Sequence, residues 1–276
     1  MRRRSSGFTL LEMFVALTIF GGIMVITTML LRQSVWIWTS GDSRESAALV
    51  LRKARTNLMR DLARADVDTG PDGELHMDQM KVPETLGGSD ALWFLSAEGA
   101  DGVFQRDNDG YPFWQQNILY YLAKPANHDE LYGMSCAAGS NPLGDDFCPH
   151  KALIKVVIDN PPETDPLPPP GNPPPPSATP ETLLTASEAS AYIMAPTGND
   201  VSALQSVNGV KEARVITTGV LWFKVTTAPG AVDSGRQIDL RAVAVKEASK
   251  QVSVGNVSLL NQPATLKNIF SVFPNN

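Results

Sequence analysis

The sequence predicts an α+β protein in which one long N-terminal helix precedes a β-rich domain. Residues 8–31 form an unbroken apolar run that is followed by a helical repeat of apolar residues, and residues 69–276 contain short apolar or β-branched runs between turns. Apolar residues at spacings of three and four are typical of a helix that packs on one face, whereas short β-branched runs are typical of strands. We therefore expect a long helix whose second half packs on an antiparallel sheet.

The first element is a candidate transmembrane helix at residues 8–31. At about 1.5 Å per residue, this stretch reaches roughly 36 Å as a helix, which is enough to cross a bilayer core. Glu12 is its only charged residue, and three arginines at 2–4 precede it. Because positive charge flanks the cytoplasmic end of a span, we expect a single-pass inner-membrane protein with its N-terminus in the cytoplasm and its β domain outside.

The second element, residues 32–68, is predicted to continue the helix beyond the membrane. Apolar residues form a stripe and charged residues occupy other faces; the stripe is Leu51, Ala54, Leu58, Leu62 and Ala65, and the charged set is Arg52, Lys53, Arg60, Asp61 and Arg64. We expect this amphipathic helix to end between residues 66 and 70 and to be loosened at residues 40–42. Trp36 and Trp38 suit the outer edge of the membrane, and packing of both rings on the soluble domain is the alternative.

The third element, residues 69–276, is predicted to be an antiparallel β domain. Strands are expected at residues 91–95, 117–123, 152–158, 220–226 and 237–247, with an edge strand at 268–273. The runs at 220–226 and 237–247 form the clearest hairpin. A short helix is expected at residues 181–190, capped by Thr179 or Thr182.

A proline-rich insertion at residues 161–180 interrupts the β domain. It holds 11 of the 21 prolines of the chain. Such a stretch adopts polyproline II or remains disordered, so we expect an exposed insertion within one domain. A ligand for a proline-binding domain is the alternative.

Composition and motifs argue against several functions. The net charge is −6, so we expect no nucleic-acid binding by bulk charge. The chain has no Gly-x-Ser-x-Gly elbow and no phosphate loop, and its histidines, His76, His128 and His150, fall in predicted loops. We therefore expect no enzymatic activity and no cofactor, and a membrane-anchored enzyme is the remote alternative.

Cys136 and Cys148 are the only cysteines. An oxidising compartment and a turn-forming segment between them predict a disulfide that closes a 13-residue loop. Two unpaired thiols are one alternative, and a zinc site with His128 and His150 is another, although the spacing matches no standard zinc pattern. Residues 107–110, Asp-Asn-Asp-Gly, resemble part of a calcium loop that lacks its closing glutamate, so we expect a hairpin turn and no metal.

Glu12 is the least expected residue of the apolar run, because a charge within the bilayer costs about 2.5–3.5 kcal/mol on insertion scales. A secretory signal peptide is disfavoured because the run is too long and no small-residue cleavage site follows Met29. A twin-arginine signal fits poorly, and a plain anchor does not explain the glutamate. The stretch 7–12, Gly-Phe-Thr-Leu-Leu-Glu after a short basic leader, resembles the processing site of type IV prepilins and type II secretion pseudopilins.

This resemblance implies a role for each residue of the N-terminus. Residues 1–7 would be a leader peptide, a prepilin peptidase would cut between Gly7 and Phe8, and the new amine of Phe8 would be methylated. Glu12, the fifth mature residue, would pair with the amine of a neighbouring subunit, so that its cost in lipid drives assembly. The implied partners are other pilin or pseudopilin subunits, the peptidase, the inner-membrane assembly platform and membrane lipid.

The resemblance further implies a pilin-like fold and a structural function. A chain of 276 residues with a bulky insertion would crowd a long fibre, so a minor pseudopilin near the tip of a type II secretion pseudopilus is favoured. The order of strands resembles minor pseudopilins of the J type and minor pilins of the W type, and Glu12 argues against the K type, which lacks this glutamate. The alternative is a minor pilin of a type IV pilus that serves adhesion, motility or DNA uptake.

Overall fold

The computed structural model describes residues 9–65, 76–99, 102–107, 109–133, 148–159, 179–228, 235–243 and 265–272. The chain divides into two compact units, Met1–Ser43 and Arg44–Asn276. The described elements are four α-helices, one short 3₁₀-helix (Glu84–Leu86) and seven strands. In chain order, the α-helices and strands are α1 (Leu10–Leu62), β1 (Met77–Lys81), β2 (Asp90–Ser96), β3 (Gln116–Ala123), α2 (His128–Tyr132), β4 (Lys151–Ile158), α3 (Ala186–Ser190), α4 (Ser202–Gln205), β5 (Val210–Thr227), β6 (Arg236–Val243) and β7 (Thr265–Val272).

Helix α1 is continuous over 53 residues. Its most apolar stretch has a mean hydropathy of 2.3, and none of that stretch is buried, so the helix is long and apolar enough to span a membrane. The helix is not interrupted at residues 40–42, so the expected loosening there is wrong. One glycine destabilises a helix by only about 1 kcal/mol relative to alanine, and the helical turns on either side outweigh this cost. The helix ends at Leu62, four residues before the predicted range of 66–70, which itself lies outside the described residues.

The strands form one antiparallel sheet in the order β1-β2-β3-β4-β5-β6-β7, so each strand pairs with its neighbours in sequence. The strands expected at residues 91–95, 117–123 and 152–158 are confirmed and lie within β2, β3 and β4. The expected hairpin is also confirmed: β5 pairs with β6, and Val225 lies opposite Ile238. Strand β7 is an edge strand, as expected, and β1 forms the other edge without having been predicted. Strand β5 begins ten residues earlier than predicted, at Val210, and bulges at Gly219, whose φ is +82°.

Apolar side chains cover both faces of the sheet, which explains why β2, β3 and β4 are buried along almost their whole length and mostly apolar instead of alternating. On one face lies the predicted stripe of α1, whose five members are all nearly or fully buried. The opposite face packs against α3, α4 and the chain around them, including Leu184, Tyr192 and Leu204. The prediction that the second half of α1 packs on the sheet is therefore confirmed.

The short helix of the second face differs from its prediction. It covers Ala186–Ser190, and Thr185 caps it in place of Thr179 or Thr182. The Thr185 hydroxyl accepts a hydrogen bond from the Glu188 N–H, and the Glu188 carboxylate accepts one from the Thr185 N–H. Residues 181–185 stay extended because Asn117 binds this segment: its amide donates to Glu181 and to the Thr182 carbonyl, and its carbonyl accepts from the Leu184 N–H. The proline-rich insertion, up to residue 178, lies outside the described residues.

Truncation of the α1 stripe should destabilise the β domain. Leu58 is fully buried against the sheet, whereas Leu49, on the same helix, is 55% exposed. We expect Leu58→Ala to lower the free energy of unfolding by about 3 kcal/mol through lost burial and a residual cavity. Leu49→Ala, the matched control, should change it by less than about 0.5 kcal/mol. Denaturant unfolding of the full chain in detergent micelles measures both, and equal effects would contradict this packing.

Candidate functional site

The start of α1 is a capping box built by Thr9 and Glu12. The Glu12 carboxylate accepts hydrogen bonds from the Thr9 N–H and the Thr9 hydroxyl, both at 2.9 Å. In return, the Thr9 hydroxyl accepts a 3.3 Å bond from the Glu12 N–H. These reciprocal bonds satisfy two backbone donors that the first turn of a helix leaves open, at the end where the helix dipole favours an anion.

The capping box adds a contact that was not predicted from the sequence. Within a single chain, Thr9 supplies two hydrogen-bond donors to the Glu12 carboxylate. Those donors are neutral, so the negative charge itself remains, and a cation from elsewhere would still be favoured in an apolar environment. Gly7 and Phe8, the predicted processing residues, lie outside the described residues.

The first half of α1 presents an apolar surface whose polar groups are satisfied within the helix. The side chains from Leu10 to Trp38 are exposed, including both predicted interfacial tryptophans. The hydroxyls of Thr18, Thr27 and Thr28 donate to the carbonyls one turn earlier, at distances of 2.7 or 2.8 Å. Such internal bonds are what a helix in lipid requires, because hydrocarbon offers no hydrogen-bonding partner.

The second half of α1 carries a buried charge network centred on Asp61. Its carboxylate accepts hydrogen bonds from the Tyr120 hydroxyl at 2.6 Å, the Lys155 ammonium at 2.5 Å and the Arg60 guanidinium at 2.9 Å. Asp61 and Lys155 are 4% and 7% exposed.

Burial favours the neutral acid, but the hydrogen bonds from Lys155 and Tyr120 outweigh this effect and leave the pKa of Asp61 lowered. Burial, and then the charge of Asp61, raise the pKa of Tyr120. The network therefore connects the helix to β3 through the Tyr120 hydrogen bond and to β4 through the ion pair with Lys155.

The sequence prediction placed Asp61 on a charged outer face, and this is wrong. Asp61 follows Leu58 by three residues and precedes Ala65 by four, so it lies within the buried stripe. This helical spacing from Leu58 and Ala65 is the feature of the sequence that could have predicted the burial of Asp61. An acid within an apolar stripe needs a buried partner, and Lys155, with apolar neighbours on both sides in β4, is that partner.

A cleft of about 790 Å³ opens beside this network. Its lining is mixed in charge, with arginine and lysine beside aspartate and glutamate, and it includes Arg64, which forms an ion pair with Glu98. No serine, threonine, cysteine or histidine is among its lining residues, all of which the structure describes. These lining residues therefore carry no hydroxyl, thiol or imidazole group.

A second cluster forms around Cys148, which is fully buried and disulfide-bonded. Its predicted partner, Cys136, lies outside the described residues, so the pairing of these two cysteines stays a prediction. The Cys148 Sγ lies 3.3 Å from His128 Nε2, and the same nitrogen lies 3.1 Å from His150 Nδ1. The Tyr132 ring stacks on His150 at a centroid distance of 3.9 Å.

From the sequence, this grouping was only an alternative, a zinc site of the cysteines with His128 and His150, and all three histidines were expected in loops without a nearby nucleophile. His128 instead begins α2, and the chain returns at residues 148–150 to bring Cys148 and His150 against it. The three donor atoms lie within 4.8 Å of one another, as in a metal site. A disulfide sulfur is not a thiolate ligand, however, and two imidazoles alone do not make a four-coordinate zinc site. His76 lies apart from the cluster, 4.8 Å from the Trp114 ring.

The predicted turn at residues 107–110 is present in its described part. The Asp107 carboxylate accepts hydrogen bonds from the N–H groups of Asp109 and Tyr111, at 2.9 and 2.8 Å. The Gly110 N–H donates to the Asp107 carbonyl at 3.2 Å, and Gly110 has a φ of +87°. One oxygen of Asp107 is therefore engaged in closing the turn.

Comparison with known proteins gives no relative: no family model, no curated protein and no solved structure matches the chain.

Removing the acid of the buried ion pair should destabilise the β domain. Asp61→Asn leaves the Lys155 ammonium buried without its counter-charge, so we expect a loss of about 3 kcal/mol in the free energy of unfolding. The double variant Asp61→Leu/Lys155→Met removes both charges and should recover most of this loss. Glu45→Gln, an exposed acid on the same helix, is the control. Denaturant unfolding in detergent micelles measures all three, and a stable Asp61→Asn would contradict the role of the pair.

The His150 imidazole should make the β domain sensitive to mild acid. Burial, and then the neighbouring His128, lower the pKa of His150 from 6.5 to about 4. The unfolded chain therefore binds a proton at a higher pH than the folded chain does, and stability falls as the pH drops from about 6.5 towards 4. Between pH 7 and pH 5, we expect wild type to lose about 1 kcal/mol more than His150→Gln loses. Unfolding curves at the two pH values test this, and parallel losses would refute it.

Proposed function

We propose that the chain is a prepilin-type structural subunit, specifically a minor pseudopilin near the tip of a type II secretion pseudopilus. In this proposal α1 lies in the inner membrane, the β domain lies on the periplasmic side, and the subunit assembles through α1. The observation that carries the proposal is Glu12, a single charge in an apolar helix, five residues after a glycine that ends a basic leader.

The surface of α1 supports the proposal. An apolar first half with internally bonded threonine hydroxyls suits lipid or a bundle of similar helices, and the amphipathic second half is the part that packs on the sheet. One helix thus joins an anchor to a folded domain. A helix of this kind can link subunits within the membrane while presenting their β domains outside it.

The role proposed for Glu12 follows from its negative charge, which the capping box does not neutralise. Thr9 satisfies the hydrogen-bonding capacity of Glu12, but it supplies no positive charge. After cleavage between Gly7 and Phe8, each subunit would carry a new amine at Phe8. In a staggered bundle, that amine could neutralise the Glu12 of a neighbouring subunit in a low-dielectric setting, where such a pair is worth more than in water.

Three variants separate the charge of Glu12 from its capping role. Glu12→Gln keeps an N3 side chain that can cap the helix and removes the charge. Glu12→Ala removes both, and Thr9→Ala removes the reciprocal cap but keeps the charge. We expect all three to reach wild-type levels in the inner membrane, and we expect only the two Glu12 variants to lose incorporation into sheared or crosslinked fibres. Wild-type incorporation of Glu12→Gln would contradict the proposed pairing.

Deletion of the gene in its own host would separate this proposal from its alternative. A pseudopilin is expected to be needed for secretion of extracellular proteins. Loss of surface pili, motility or DNA uptake with normal secretion would instead assign the chain to a type IV pilus as a minor pilin.

A further inference from the structure

The outward face of the second half of α1 is strongly basic. Residues 46–65 contain five cations and one acid: the cations are Arg52, Lys53, Arg55, Arg60 and Arg64, and the acid is Asp61. Asp61 is buried, and all of the cations except the half-buried Arg64 are exposed. Leu49 and Met59, which are 55% and 38% exposed, lie on the same side of the helix. We call this surface the basic face.

The fold leaves the centre of the basic face without counter-charges. Arg60 and Arg64 each form an ion pair with an acid of the same chain. Neither Arg52 nor Lys53 has an ion-pair partner among the described residues. The basic face therefore attracts an anionic surface, and its two exposed apolar side chains favour a surface that is also partly apolar.

The chain itself presents such a surface on the other side of the sheet. Residues 127–133 and 179–209 include α2, α3 and α4, and they contain five acids and no lysine or arginine. The Gly198 N–H donates a 2.7 Å hydrogen bond to the Asn127 side chain, which joins the two stretches. The exposed acids are Asp129, Glu130, Glu188 and Asp200, and in the same stretches Leu131 and Met194 are 39% and 38% exposed. We call this surface the acidic face.

Hydrogen bonds keep the acids of the acidic face ionised without neutralising them. The Thr185 N–H and hydroxyl donate to the Glu188 carboxylate and lower the pKa of Glu188. The Ser202 N–H donates to the Asp200 carboxylate at 2.8 Å, and hydrogen bonds from Ser202 lower the pKa of Asp200. These donors carry no charge, so the negative charge of both acids remains available to a partner.

We propose that the basic face of one chain docks on the acidic face of a second copy. Each face combines several charges of one sign with two partly exposed apolar side chains, so the two surfaces match in charge and in apolar content. The sheet lies between α1 and the layer of α3 and α4, so the contact forms between chains. Because each chain carries both faces, the contact is head-to-tail and can repeat from chain to chain. The inference goes beyond the proposed function and does not depend on it.

The test is sedimentation equilibrium of the full chain in density-matched micelles of an uncharged detergent. At about 0.05 M salt, we expect association that depends on protein concentration. At about 0.5 M salt, the dissociation constant should rise by about tenfold or more, because salt screens charges at the surface. Carbodiimide coupling of a mixture of isotope-labelled and unlabelled chains should join Lys53 of one chain to Glu130 or Asp200 of another, as mass spectrometry would identify.

Charge reversal on either face should weaken the association. Arg52→Glu/Lys53→Glu reverses the centre of the basic face, and Glu130→Lys/Asp200→Lys reverses part of the acidic face. We expect each double variant alone to raise the dissociation constant by about tenfold or more, because like charges then face each other. An equimolar mixture of the two variants should associate again, since each reversed face then meets a face of opposite charge. This recovery would also show that both variants fold.

A matched control separates the two faces from net charge. Lys81→Glu/Lys224→Glu changes the net charge as much as Arg52→Glu/Lys53→Glu does, but both lysines are exposed on strands outside the two faces. We expect this control to associate like wild type.

Three results would overturn the inference. The first is equal association of wild type, both charge-reversal variants and the control at either salt concentration, which would assign the contact to the apolar half of α1. The second is no recovery in the mixture of two variants whose unfolding curves match that of wild type. The third is a monomeric wild type whose basic face binds DNA or anionic vesicles, which would assign this face to another partner.

Discussion

One continuous helix has to satisfy two different surroundings, and this constraint organises the rest of the molecule. The first half of α1 is apolar on every side, and its window of highest hydropathy has no buried residue. The second half is apolar only on the stripe that packs against the sheet. A helix that is apolar on all sides is stable in lipid or among other helices, whereas a helix with one apolar stripe packs against the rest of the protein on that face only. The change of pattern along α1 therefore marks where the stretch that could span a membrane ends and the half that packs on the sheet begins.

The buried ion pair fixes how the striped half meets the sheet. Small and medium apolar residues alone, such as Ala54 and Leu58, would tolerate sliding of the helix. A slip of one residue moves Asp61 by about 1.5 Å and about 100° around the helix axis, away from Lys155 and Tyr120. Lys155 would then be buried without its counter-charge, which is strongly unfavourable. We therefore expect the network to contribute specificity of packing more than net stability, and it connects the helix to β3 and β4.

The sequence predicted those parts of the fold that depend on local pattern. The strands β2, β3 and β4 are rich in apolar residues, and the stripe of α1 repeats at helical spacing, so each could be recognised from its own residues. The first half of β5 was missed because Lys211, Glu212 and Arg214 interrupt its apolar pattern, and pairing with β4 overrides that composition. The capping residue of α3 was misplaced because Asn117, distant in sequence, holds residues 181–184 extended.

The candidate sites also differ in whether the local sequence alone could reveal them. Glu12 could be recognised from its immediate neighbours, since its unusual position needs no partner to be noticed. Asp61 with Lys155, and Cys148 with His128, are pairs brought together over 94 and 20 residues. No spacing in the sequence encodes such contacts, because the sheet and the return of the chain at Cys148 create them. The predicted capping threonines and the predicted loop at His128 were wrong for the same reason, whereas His76 and His150 do lie outside helices and strands.

In the proposed function, the N-terminus is processed as a prepilin and α1 remains in the membrane. The intact mass and N-terminal sequence of the protein extracted from the membranes of its own host test this processing. We expect a chain that begins at Phe8, carries one methyl group on its new amine and retains the whole of α1. A chain that begins after Leu31 would show a conventional signal peptide, and an intact Met1 in a host with an active prepilin peptidase would show that Gly7 is not a cleavage site; either result would rule out the proposed processing.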